Sequence, residues 1–162
     1  MRKLVLTSMG LLLALPCLFA EEPRTEDFYT PPTYNWVNRR VNTLLPSQGG
    51  KVQLDQDQTG SLRALHRGMN KVYYHSNPKD NSLVKIEIEA IGEESPGMAV
   101  LAATFLTALS AVESIEEGTS LANLLTAENA KDGRPRSIQL ANGMKFMKIK
   151  TETTVPKFVI VL

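Results

Sequence analysis

Val84-Lys85-Ile86-Glu87-Ile88-Glu89-Ala90, followed after one loop by Ser95-Pro96-Gly97 and the alanine-rich run Met98 to Val112, decides the fold class of this chain. In the first segment apolar and charged side chains alternate. That is the pattern of a strand with one buried face, with Val84, Ile86, Ile88 and Ala90 toward a core and Lys85, Glu87 and Glu89 toward water. In the second, Ser95 can cap a helix and Pro96 fits its first turn. Leu101, Phe105, Ala108, Leu109 and Val112 then fall on one stripe. The small residues Ala102, Ala103 and Ala111 would allow close approach to a neighbour. Glu113, Glu116 and Glu117 turn the sequence polar, and Gly118 is the expected end of this helix.

Upstream, Tyr34, Val37, Val41 and Leu44 recur at helical spacing between a cap at Thr33 and a stop at Pro46, with Trp36, the single tryptophan, off the stripe. A strand is expected from Gly49 to Asp55 and another from about Lys71 to His75. Ser76 to Asn81 is a dense turn cluster. Downstream, Ser120 to Ala130 reads as a further helix, and Lys131 to Pro135 as a loop. Asn142-Gly143 reads as a hairpin turn between Ile138-Leu140 and Met144 to Thr151. Phe146-Met147 breaks strict alternation, which requires a bulge or burial on both faces. Phe158 to Val161 reads as a central strand buried on both sides. The expectation is an α+β domain: a mostly antiparallel sheet, one long alanine-rich helix over about residues 97–115 packed on one face, and one or two shorter helices.

The first 20 residues read as an export signal. Arg2 and Lys3 precede the apolar run Leu4 to Phe19, and the small Ala20 stands before Glu21-Glu22-Pro23. Lipidation at Cys17 is the competing reading, weakened by Pro16 and Ala14 at positions where a lipoprotein signal prefers a small residue and leucine. Residues 21–32, with Pro23, Pro31 and Pro32 and no apolar period, read as an extended, mobile leader, and residues 33–162 as a single domain. Cleavage after Ala20 removes two of the 18 basic side chains and the only cysteine. What remains has 16 basic against 17 acidic groups and no thiol. That excludes disulfides and cysteine chemistry and argues against a nucleic-acid binder or a polybasic membrane patch.

Motifs for chemistry are sparse. Asp55-x-Asp57-x-Thr59-Gly60 copies the first half of a calcium loop, but the twelfth position is His66 where a bidentate glutamate is needed. His66 and His75, the only histidines, are nine apart and lack a zinc spacing, so a metal or hydrolytic site would need Asp55, Asp57 or Asp80 brought in by the fold. Phosphate loops, dinucleotide fingerprints and a Gly-x-Ser-x-Gly elbow are absent, and no cofactor is expected. Glu116 and Glu117, read at the carboxyl end of a helix, would be unfavourably placed unless they met a basic partner.

The favoured expectation is a periplasmic or secreted, non-catalytic protein that binds another exported or envelope protein as an accessory, inhibitor or immunity-type factor. Trp36, Tyr73, Tyr74, Glu116 and Glu117 are its candidate contacts. A small hydrolase or metal enzyme using His66 and His75, and a carrier of an apolar ligand between helix and sheet, are the alternatives. The long apolar terminal strand and near-zero charge leave self-association open.

Overall fold

The computed structural model describes residues 32–45, 50–56, 62–67, 69–152 and 154–162. The signal segment with Cys17, the leader up to residue 31, Pro46 and the calcium-like positions 57–60 lie outside the described residues. The described chain runs α1 (Tyr34–Leu44), β1 (Val52–Gln56), β2 (Leu62–His66), β3 (Asn70–Ser76), β4 (Leu83–Ala90), α2 (Pro96–Ala108), α3 (Ile115–Asp132), β5 (Arg136–Gln139), β6 (Lys145–Ile149) and β7 (Lys157–Val161). Its strands form one sheet in the order β1-β2-β3-β4-β7-β6-β5. Every neighbouring pair is antiparallel. The chain is thus an α+β fold.

The registers place side chains in rows across the sheet. Tyr74, Ile86, Ile160 and Phe146 form one row and Val72, Ile88, Phe158 and Lys148 the next, all facing the helices and buried. α1 lies over the β1 side. Asn42 accepts from the Val52 amide at 2.8 Å and donates to its carbonyl at 3.2 Å, so a side-chain amide completes β1 on the side where none of the described strands pairs with it. Phe105 of α2 sits with its ring 6.0 Å from Tyr74, and Asn129 of α3 donates to the Lys150 carbonyl beyond β6 at 3.2 Å. All three helices therefore share one face of the sheet.

α1 forms as its sequence predicts. The Thr33 side chain accepts from the Trp36 amide at 3.4 Å, and Val37 and Val41 are fully buried. β7 is central, with Phe158 and Ile160 buried on the helix side and Val159 on the other. β4 departs from strict alternation. The register against β3 slips between His75 and Ser76, so Val84 bulges out exposed and Leu83 takes the core position instead. β6 needs no bulge. It keeps regular register on both sides, turning Phe146 and Lys148 to the helices and Met147 to the opposite face. β2 was not foreseen. Residues 62–66 pair with β3 as a hairpin around Arg67, which takes a left-handed φ of 53°.

The alanine-rich helix is shorter than the expected span of about 97–115, and the longest described helix is α3. α2 stops at Ala108 in a Schellman motif, in which the Ala111 amide donates to the Leu106 carbonyl at 2.9 Å and the Ser110 amide to Thr107 at 3.0 Å. Ser110 occupies the left-handed position, φ 54°, that glycine usually fills, so no glycine marks this end in the sequence. Gly118 lies inside α3, where a Cβ would meet Ala103 Cα and Cβ at 2.9 Å. It is a contact glycine between α2 and α3, not a terminator. Ser110→Gly is expected to raise stability by about 1 kcal/mol by removing the left-handed strain. An unchanged or lower urea midpoint would contradict that account of the helix end.

Candidate binding surfaces

The face of the sheet away from the helices is covered by none of the described helices. Alternation along each strand puts Tyr73, Glu87, Val159 and Met147 in its middle row. Lys71, Glu89, Lys157 and Ile149 form a row on one side of it. His75, Lys85, Val161 and Lys145 form a row on the other. Val161, Met147 and Ile149, each partly exposed around the buried Val159, make an apolar centre on β6 and β7, while four lysines against two glutamates give the surroundings a basic bias. An apolar centre in a charged rim is the composition of a protein interface.

Glu87 holds the charged groups in place. Its carboxylate takes Lys85 Nζ at 2.7 Å on one oxygen and Lys157 Nζ at 3.2 Å on the other, and His75 Nε2 lies 3.8 Å away. Partial burial pushes the Glu87 carboxyl upward, but hydrogen bonds from Lys85 and Lys157 outweigh it and hold the group below its ordinary value. His75 is lowered by burial and by the nearby Lys85 and Lys157 charges, which Glu87 only partly offsets. At neutral pH the cluster therefore presents ammonium groups around a carboxylate beside an uncharged imidazole.

A second surface lies on the outward side of α1. Thr33, Asn35, Trp36, Arg39, Arg40 and Thr43 line a groove of about 430 Å³. Trp36 is 46% exposed, with the Arg40 guanidinium 5.1 Å from its ring centroid. Trp36 thus stands outside the core, and Tyr73 stands half-buried on the bare sheet face.

The other candidate contacts resolve differently. Tyr74 is a core residue: its ring is buried and its hydroxyl donates to Asn38 Oδ1 at 2.9 Å, so it is removed from the contact set. Burial pushes its hydroxyl far above the usual tyrosine range. Glu116 and Glu117 lie in the first turn of α3, not at the carboxyl end of a helix. Ser114 accepts from the Glu117 amide at 3.1 Å and Glu117 accepts from the Glu113 amide at 2.8 Å, close to a capping box. Both carboxylates are favourably placed against the helix dipole, which removes the reason for giving them a basic partner.

Among the weak metal candidates, Asp55 lies in β1 and Asp57 outside the described residues. His66 is buried on the helix side, its register partner being Asn70, whereas His75, five residues along β3, is on the bare side. The two imidazoles cannot meet one ion. Among the described residues no group of three or more His, Cys, Asp or Glu side chains is arranged to hold a metal. Asp80 serves a turn, accepting from the Ser82 amide at 2.9 Å.

One ionic site escaped the sequence reading. Lys148 is fully buried under the helices, its ammonium 4.2 Å from the Phe158 ring centroid and paired with Glu94 ahead of α2. Lys150 Nζ is 3.9 Å from the other Glu94 oxygen. Burial lowers the Lys148 ammonium, and Glu94 partly restores it. The pair ties the β4–α2 loop to β6. The only sequence signal for it was the phase of β6, in which a lysine shares a face with Phe146.

No helix among the described residues is long and apolar enough to cross a membrane. Compared with protein-family models, curated proteins and solved structures, the chain matches none.

Proposed function

We propose that this chain is an exported, non-catalytic protein that acts by covering a surface of another exported or envelope protein, and that the partner lies on the bare face of the sheet. The observation that carries the reading is the one-sided placement of α1, α2 and α3. It leaves Tyr73, Met147, Ile149 and Val161 on a face that no described helix covers. The lysine-rich rim favours a partner with an acidic border. Export rests on the leader-like residues 1–20.

The two alternatives gain less support. Histidines on opposite sides of the sheet leave a hydrolase without a shared centre. The layer where an apolar ligand would lie is filled by Phe105 against Tyr74 and by Phe146 stacked on Phe158 at 5.3 Å.

Tagged protein expressed with its leader in the native envelope should be isolated with a mass starting at Glu21 and with one stoichiometric partner cross-linked through the lysines of the bare face. Tyr73→Ala with Met147→Asp should weaken that complex by about 2 kcal/mol, roughly thirtyfold, while far-ultraviolet circular dichroism stays unchanged. Recovery of no stoichiometric partner, or cross-links confined to the helices, would overturn the reading.

A further inference from the structure

We propose that the outward face of α1 is a second, independent docking site, which takes an acidic polypeptide segment by pairing its carboxylates with Arg39 and Arg40 and laying an apolar side chain on Trp36.

Trp36, Arg39 and Arg40 stand at i, i+3 and i+4 and so share one side of the helix. The opposite side, through Val37 and Val41, is spent on the core. Helix α1 contains no acidic residue, and no carboxylate among the described residues pairs with either guanidinium. Arg40 is held in place by donating to Ser110 Oγ at 3.4 Å, in the turn after α2, while it lies over the indole. That anchoring reduces the side-chain entropy lost when a carboxylate arrives. Asn35 adds an amide along the groove for a backbone to use, while Thr33 and Thr43 are engaged within the helix, accepting from the Trp36 amide at 3.4 Å and donating to the Arg39 carbonyl at 3.1 Å. Tryptophan and arginine are the residue types most enriched where binding energy concentrates.

The charge and shape favour a polypeptide over other anionic partners. Two cations release too few counterions to hold a nucleic acid at ordinary salt. A membrane surface would need the apolar stripe of α1, which is buried. The groove is on the helix side of the domain and does not compete with the bare sheet face, so its test is separate from that of the proposed function.

Trp36 is the only tryptophan, so emission excited at the red edge of the indole band, where the four tyrosines do not absorb, reports this groove alone. The probe is a twelve-residue glutamate-rich peptide with one central phenylalanine, and the control is the same peptide with every glutamate replaced by glutamine. The expected result is a saturable change in Trp36 emission with the acidic peptide and none with the control. Rising salt should weaken it, and Arg39→Glu with Arg40→Glu should weaken it by at least about tenfold. Both arginines are exposed, so the double variant should keep its melting temperature within a few degrees. No saturable change with the acidic peptide, or an equal change with the glutamine peptide or in the charge-reversed protein, would overturn the proposal.

Discussion

Gly118→Val will destabilise the domain by about 3 kcal/mol, read as a fall in the urea midpoint. At Gly118 a Cβ would sit 2.9 Å from both Ala103 Cα and Cβ and 3.3 Å from its carbonyl oxygen. The obstacle is the backbone of α2 and the first atom of a side chain, neither of which can swing aside, so α2 and α3 must separate. Gly118→Ala is the sharper version. Helix propensity alone would make this change a gain of roughly 1 kcal/mol, yet the contact makes it a loss. Adding Ala103→Gly should recover part of that loss, since the two changes act on one contact. A more stable Gly118→Ala protein would show that the two helices do not pack this closely.

Breaking the Lys148–Glu94 pair should have an effect of similar size, larger when the partner left behind is the more deeply buried one. Glu94→Gln leaves a buried ammonium without its counter-charge and is expected to cost about 3 kcal/mol, toward the low end because Glu94 remains 18% exposed. Lys148→Met keeps the volume and the contact with Phe158 and leaves Glu94 with partial solvent access and Lys150 Nζ at 3.9 Å, so it should cost less, about 1 kcal/mol. Only Lys148→Met with Glu94→Leu, which removes both charges, should be neutral or stabilising. The pH dependence separates the two explanations. Burial holds the Lys148 ammonium below its ordinary 10.5, so between that lowered value and 10.5 the unfolded chain binds more protons than the folded one. Stability from this group therefore rises with pH across that window. Tyr74 acts oppositely above about pH 10, because its hydroxyl stays protonated only in the folded state. Subtracting the Lys148→Met curve from the native one isolates the lysine. A difference that falls with rising pH would contradict a buried, desolvated ammonium.

Much of the fold was legible because local signals agreed with tertiary demands. Thr33 capping α1, alternation in Ile86-Glu87-Ile88-Glu89, Asn142-Gly143 joining β5 to β6 and the apolar run of β7 each state their structure in neighbouring residues. The misreadings came where a long-range contact decided. Gly118 carries the residue type of a helix end but serves a contact with Ala103, while Ser110 ends α2 without the expected glycine. That exchange moved the break between the two helices upstream, from Gly118 to the turn at Ser110. It also moved Glu116 and Glu117 from the end of one helix to the start of the next, reversing their electrostatic meaning. Lys148 was hidden for a related reason. Met147 and Ile149 look like the inward pair until the register with Ile160 and Phe158 puts Phe146 and Lys148 there. Of the candidate contacts, Trp36 was legible because it falls off the α1 stripe. Tyr73 and Tyr74 could be separated only by knowing which face of β3 the helices cover.

The two-faced sheet is tested most directly by lysine acylation of the native protein at neutral pH, followed by peptide mass spectrometry. Lys71 and Lys145 should react within the labelling time, Lys85 and Lys157 more slowly because Glu87 holds them, and Lys148 not at all until the protein is unfolded. Modification of Lys148 at the rate of Lys145 in the folded protein would mean that the helices do not cover that side, and the assignment of the opposite side as the docking face would fall with it.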